Sequence, residues 1–200
     1  LGWGWQAFGA LALLLSAQGF CRAEGEGAWR VWFDAKFLAP AVQKPVPNAE
    51  KTVFSGGVWD GEQLVGFEKG RWAELGLRWE GFEAAARRNA VLDFASVEVR
   101  FQRDKRRVIE FAELSSEQPL VASAVLDPGL GNRFSETLGD VLFLAVPSRF
   151  KAYVFPQHGG DPAQYARMVW AAYRETSQPV SLELFEWRRG KIRAVGTFEP

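Results

Sequence analysis

Bulky and polar positions alternate in part in AWRVWFDAKF (28–37), with Trp29, Val31 and Phe33 on one face, and this predicts a strand. LAPAVQKPVPNAEK follows, carrying three prolines between Pro40 and Pro47, and it reads as a linker or surface loop because proline removes ladder donors and disfavours helix. TVFSGGVWDGEQLVGF (52–67) reads as a short hairpin, with Asp60 and Gly61 supplying the backbone angles of a tight turn. From Lys69 the period changes. RWAEL makes one short helical turn closed by Gly76, and LRWEGFEAAARRNAVLDFA (77–95) sets Trp79, Phe82, Ala86, Ala90 and Phe94 at helical spacing, the stripe of an amphipathic helix. SVEVRFQRDKRRVIEFAEL (96–114) returns to alternation on both sides of a charged turn at 103–106, which is a hairpin pattern.

In VLDPGLGNRFSETLGD, Asp127 suits a helix N-cap, Pro128 the first helical position and Gly139 the residue past the end, so a helix is expected over 128–138. DVLFLAVPSRFKAYVF reads as two adjacent strands turning at Pro147 and Ser148, the first well buried. Asp161 and Pro162 repeat the cap-plus-proline device ahead of a helix whose apolar stripe is Tyr165, Met168, Val169, Ala172 and Tyr173. PVSLELFEWRRGKIRAVGTF closes the chain as a hairpin turning at Arg189 and Gly190. Strands and helices interleave, but hairpins dominate, which predicts an α+β fold: a mixed or antiparallel sheet with three or four helices packed on it. The parallel crossovers and glycine-rich first turn of a doubly wound nucleotide-binding fold are not visible.

The start of the chain changes the cellular picture. An apolar run from Ala7 to Ala17, a small polar segment and a Cys21-x-Ala23 ending read as a secretory signal, residues 1–23. The run is about 11 residues, short of the roughly 20 that a spanning helix needs, so no stable membrane insertion is expected after cleavage. The expected compartment is secreted or periplasmic. The remaining chain divides into a Trp-rich N-terminal β region with its Pro-rich loop (24–68) and an α+β domain (69–200). Cys21 is the single cysteine of the chain, so the cleaved protein would have neither a disulfide nor a thiolate ligand or nucleophile, and packing alone must hold it. Nine tryptophans and 14% aromatic content supply the apolar area. The 24 basic residues balance 24 acidic ones, which argues against a dedicated nucleic-acid binder.

Five pieces, the helix FEAAARRNA, the run VLDPGLGNRFSETLGD, the stretch LFLAVPSRFKAYVF, the helix after it and PVSLELFEWRRGKIRAV, have an order and spacing that resemble the bacterial domain-of-unknown-function family 1444 over about residues 77–195. The resemblance implies an architecture. The family has no established reaction, so it assigns no catalytic residue here.

Candidate chemistry is sparse. His158 is the lone histidine, which excludes any site of two or more histidines within one chain. As a general base it would need partners such as Ser148 and Asp161, whereas PQHGGDP otherwise reads as a loop leading to a capped helix. Arg149, in VPSRF between two strands, could hold a carboxylate or phosphate bidentately. Trp59, beside the Asp60 and Gly61 turn, is the tryptophan expected to be exposed and so available to a sugar or peptide. RDKRR (103–107) and the pair Arg87 and Arg88 read as a solvated hairpin tip and helix face, and no phosphate-cradling loop occurs. The expectation is an exported, non-catalytic binding or interaction module of the cell envelope, monomeric or a small homo-oligomer, with an unidentified envelope ligand or protein as partner and no cofactor, metal or nucleic acid called for. The alternative is a small envelope hydrolase using His158 with Asp161 and Ser148.

Overall fold

The computed structural model describes residues 25–199, so the signal reading over 1–23, with Cys21, lies outside the described residues. Among the described residues, two antiparallel sheets and five α-helices make an α+β fold. In the first sheet β1 (Trp29–Ala35) pairs along one edge of β3 (Thr52–Trp59), from Trp29 opposite Val58 to Ala35 opposite Thr52. The other edge of β3 is shared by β2 (Gln43–Pro45), a short pairing inside the proline-rich loop, and β4 (Leu64–Gly66). The turn into β4 is built by Asp60, whose carboxylate accepts the N–H groups of Glu62 and Gln63, both at 2.8 Å, while Gly61 adopts φ 109°. Those two amides hold the Asp60 carboxyl below the usual carboxylate range despite some loss of solvent. Gly57 lets β4 approach: a Cβ there would lie 2.0 Å from the Val65 carbonyl oxygen.

The second sheet has the order β10-β9-β7-β8-β6-β5, from β5 (Glu98–Arg103), β6 (Ile109–Ser115), β7 (Val141–Ser148), β8 (Lys151–Pro156), β9 (Glu183–Arg188) and β10 (Lys191–Thr197). Three of its connections are the expected hairpins, and the last turns through Arg189 and Gly190, both at positive φ (49° and 76°), the conformation that matches strand twist. The helices are α1 (Lys69–Leu75), α2 (Trp79–Phe94), α3 (Val121–Ala124), α4 (Leu130–Leu138) and α5 (Ala166–Arg174). Gly76 ends α1 in the left-handed region, as its place in the sequence predicts.

One core joins the two sheets. Phe33 of β1 meets Phe54 at 5.2 Å and Phe185 of β9 at 4.7 Å, and α2 adds Phe82, Ala86 and Phe94 with Trp79 partly buried against them, while Ala90 of the same stripe is also buried. The described part of the N-terminal region, residues 25–68, therefore shares its packing with the rest of the chain. All seven residues of β1 are buried, so the alternation expected of a half-exposed strand does not hold: α2 and α3 enclose β1 together with the second sheet. A smaller core lies on the opposite side, where Val169 of α5 packs with Phe111, Tyr153 and Phe155. Among the described residues no helix is long and apolar enough to cross a membrane.

Two local expectations shift. Asp127 accepts the Gly129 N–H at 2.7 Å and closes a turn, so α4 begins at Leu130, two residues later than the proline suggests. The β7–β8 turn falls at Arg149 and Phe150 rather than at Pro147 and Ser148, because β7 continues through a register break between Ala145 and Ser148 and the Pro147 carbonyl accepts from Val180.

Candidate functional site

The residues singled out by sequence do not converge. Ser148 pairs with Lys151 at one end of β8, and His158 lies two residues past Pro156 at the other end, with the six residues of β8 between them. At about 3.3 Å per residue that strand separates them by about 17 Å. The far ends differ in their surroundings too. Ser148 is buried and its hydroxyl accepts the Phe150 N–H at 3.2 Å, whereas His158 is exposed in a cleft of about 520 Å³ beside Asp140, Arg188 and Arg189 and makes no hydrogen bond to a described group. Asp161 is occupied as a cap, accepting the Ala163 N–H at 2.9 Å. The structure therefore does not bring His158, Asp161 and Ser148 together as a nucleophile, base and orienting acid.

Arg149 does bind a carboxylate, but an internal one. Its Nη2 lies 3.1 Å from both oxygens of Asp34, and its guanidinium sits 5.5 Å from the Trp32 ring. Asp34 is buried and also accepts from Trp32 Nε1 (3.1 Å), Ser55 Oγ (3.0 Å) and the Ala35 N–H (3.1 Å), so its charge is compensated by four groups. Two further networks tie buried polar groups together. Arg30 Nε bonds Asp93 at 2.8 Å while Ser123 Oγ donates to the same carboxylate at 2.7 Å; burial raises the Asp93 pKa, against the pull of Arg30 and Ser123. Thr52 bonds Ser181 and Glu183, and Glu183 also accepts the Glu50 N–H at 2.7 Å, which fastens the first sheet to β9. These groups hold the fold and are not open to a ligand.

Trp59 is half-buried against the main core, not free at a turn. The N-terminal tryptophans work inside an aromatic cluster: Phe82 is met by Trp72 at 5.2 Å, and by Trp29, Trp79 and Phe67 at 5.7 Å each.

An open groove lies along α5. A turn at Pro162–Tyr165, capped by Asp161, leads into the helix, and Tyr165 stacks on Phe155 at 5.2 Å and 20°. Val169, Met168, Ala172 and Tyr173 pack in the smaller core, Trp170 lies half-buried at its margin, and Arg167, Ala171 and Arg174 are presented on the exposed flank. The segment 197–199 forms the other wall, because Trp170 Nε1 donates to the Phe198 carbonyl at 2.9 Å. Between them runs a groove of about 760 Å³ whose floor is kept low by Ala163, Ala166 and Ala171. Arg167 and Arg174 are exposed, seven positions and so about 10 Å apart along the helix. Neither forms an ion pair among the described residues, whereas Glu199 at the rim is bound to Lys51. Two forked cations on either side of an aromatic ring suit carboxylates on an extended chain. The sequence signal for this flank is RMVWAAYR, two arginines at i and i+7 with a tryptophan between them, off the apolar stripe.

Protein-family models, curated proteins and solved structures were each compared with the chain, and none matches it.

Proposed function

We propose that this protein is an exported, non-catalytic binding module of the cell envelope, and that it takes an acidic, extended segment of a partner protein into the groove along α5. The observation that carries the reading is the pair Arg167 and Arg174, both exposed and without an ion-pair partner among the described residues, flanking Trp170 in a groove of about 760 Å³. An extended chain advances about 3.3 Å per residue and turns every second side chain to the same face, so acidic side chains two to four positions apart, about 7–13 Å, bracket the spacing of the two guanidinium groups. The alanine floor admits a backbone, and Trp170 offers apolar contact between the charges. The signal-like 1–23 supports export. The hydrolase alternative loses its support where β8 separates Ser148 from His158.

The test uses a fluorescent peptide with glutamates at alternate positions and a glutamine peptide of equal length, measured by anisotropy. The acidic peptide is expected to bind, to weaken as salt rises from 50 to roughly 500 mM because exposed charges are screened, and to lose affinity at least tenfold in an Arg167→Glu, Arg174→Glu variant. Equal binding of both peptides, or an unchanged affinity in the variant, contradicts the reading.

A further inference from the structure

β5 ends the six-stranded sheet, and among the described residues its one strand neighbour is β6. Its other edge therefore offers backbone N–H and C=O groups to a further strand. Edges of this kind are ordinarily protected by proline, by a bulge or by unpaired charge. β5 reads EVRFQR, holds no proline, and pairs with β6 in a regular ladder from Glu98 to Gln102, with its irregularity at the last residue, Arg103. Its central charges have opposite signs and cancel on the strand: Arg100 Nε lies 2.8 Å from one oxygen of Glu98, and Nη2 lies 2.9 Å from the other. Of the seven large apolar side chains exposed among the described residues, Val91 and Leu92 lie in the last turn of α2 just before β5, Phe101 lies in β5, and Val108 lies just after it. Four of the seven thus fall in the segment that enters, forms and leaves this one edge strand.

The pattern along the edge is complementary to itself. A closed two-fold pair of antiparallel strands in one continuous sheet keeps the same face of both copies on one side, so one residue must sit opposite its own copy. Centred on Glu98 or on Arg100, that register sets like charges together, and centred on Phe101 it sets Glu98 against Asp104 of the copy. Centred on Val99, it sets Glu98 opposite Arg100 of the copy, twice over, and on the other face it places Val99 against itself and Phe101 against Val97. Opposite-charge and apolar cross-strand pairs both stabilise a sheet. Val97 and Val99 are partly buried against the main core and Phe101 stands 6.2 Å from Phe134, so the apolar row extends the core side from one copy to the other. Antiparallel pairing also sets the entry of each strand against the exit of the other. At the entry α2 ends with no basic residue in its last turn, and at the exit stand Arg103, Lys105, Arg106 and Arg107. The partial negative charge of the helix end is thus brought toward cations of the copy, and the end that carries Val91 and Leu92 is the end at which the copy carries Val108.

We infer that β5 pairs with β5 of a second copy of this chain, antiparallel and centred on Val99, so that two six-stranded sheets become one in a two-fold dimer. The interface is independent of the groove along α5. It is tested on the whole chain by sedimentation equilibrium over a range of protein concentration. The chain is expected to be monomeric at roughly 10 µM and mostly dimeric at roughly 1 mM, the range of a small interface. Arg100→Glu sets Glu98 against a second carboxylate and is expected to weaken the dimer at least tenfold. Both side chains are exposed, so the melting temperature of the dilute monomer is expected to stay within about 2 °C of the parent. The double exchange Glu98→Arg, Arg100→Glu sets opposite charges together again and is expected to restore the dimer to within about threefold of the parent, a recovery that a general effect of net charge or of fold would not give. The charge-reversed groove variant is expected to dimerise like the parent, which separates this interface from the other reading. A chain that stays monomeric at roughly 1 mM, assembly that grows past the dimer, self-association unchanged by Arg100→Glu, or a double exchange as weak as the single one overturns the inference.

Discussion

Glu83 shows how single side chains are committed on this surface. Its carboxylate receives Trp79 Nε1 at 2.7 Å, Lys44 Nζ at 3.1 Å and Arg87 at 2.9 Å, joining α2 to β2. Burial alone would raise its pKa, but the Arg87 charge and the hydrogen bonds from Lys44, Trp79 and Arg87 outweigh that, and the folded value is lowered below 4.5. A depressed carboxyl contributes stability that is present above its unfolded pKa and lost as pH falls through the folded one. Glu83→Gln is therefore expected to cost about 1 kcal/mol at pH 7, with the gap to the parent closing in acid below the pH 4.5 reference value; denaturant melts at pH 7 and pH 3 measure both. Residue roles of this kind were the least legible part of the sequence. Arg149 looks the same in a sequence whether it meets a ligand carboxylate or Asp34, because the deciding partner lies 115 positions away and is supplied by a different sheet.

At the scale of elements, what local residues dictate was readable. Gly76 in the left-handed region, the Asp60 turn, the positive-φ pair Arg189 and Gly190, and the Asp161 cap all stand where the sequence places them, since each depends only on its immediate neighbours. α3 was not anticipated: its four residues are all buried, its first amides bond to the Arg149 carbonyl, and neither a cap nor a period marks it. The start of α4 moved for a related reason. Asp127 is buried and paired with Arg133 at 2.7 Å, so it spends its carboxylate on a turn and an ion pair. α4 also depends on a close approach that only glycine permits: a Cβ on Gly131 would come 2.3 Å from the Trp187 ring. Gly131→Ala is expected to destabilise the protein by about 1–3 kcal/mol by overpacking, although alanine is the better helix former. A thermal melt in which Gly131→Ala equals or exceeds the parent would show that α4 does not sit on β9 as described.

For the whole molecule, the decisive feature is the core that spans both sheets. Periodicity assigned an α+β fold but could not place residues 24–68, because a strand's own pattern does not name the surface that will cover it. Phe33 answers that question through its contacts with Phe54 and Phe185. Phe33→Ala is expected to cost about 3–5 kcal/mol and to lower one cooperative transition seen by every probe, whereas a first sheet folding apart from the second would melt in a separate step. A rigid shared core leaves function to surface features that the core positions, and the groove along α5 is the one on which the functional proposal rests. Trp170 reports on it directly, since its indole N–H bridges to the Phe198 carbonyl across the groove. The most direct measurement is therefore a ¹⁵N-correlated NMR titration with the alternating-glutamate peptide. The account predicts saturable shifts of the Trp170 indole and of backbone amides over 163–175 and 197–199, abolished by Arg167→Glu with Arg174→Glu. Shifts confined to the basic hairpin tip at 103–107, or a Trp170 indole that does not move, would contradict it.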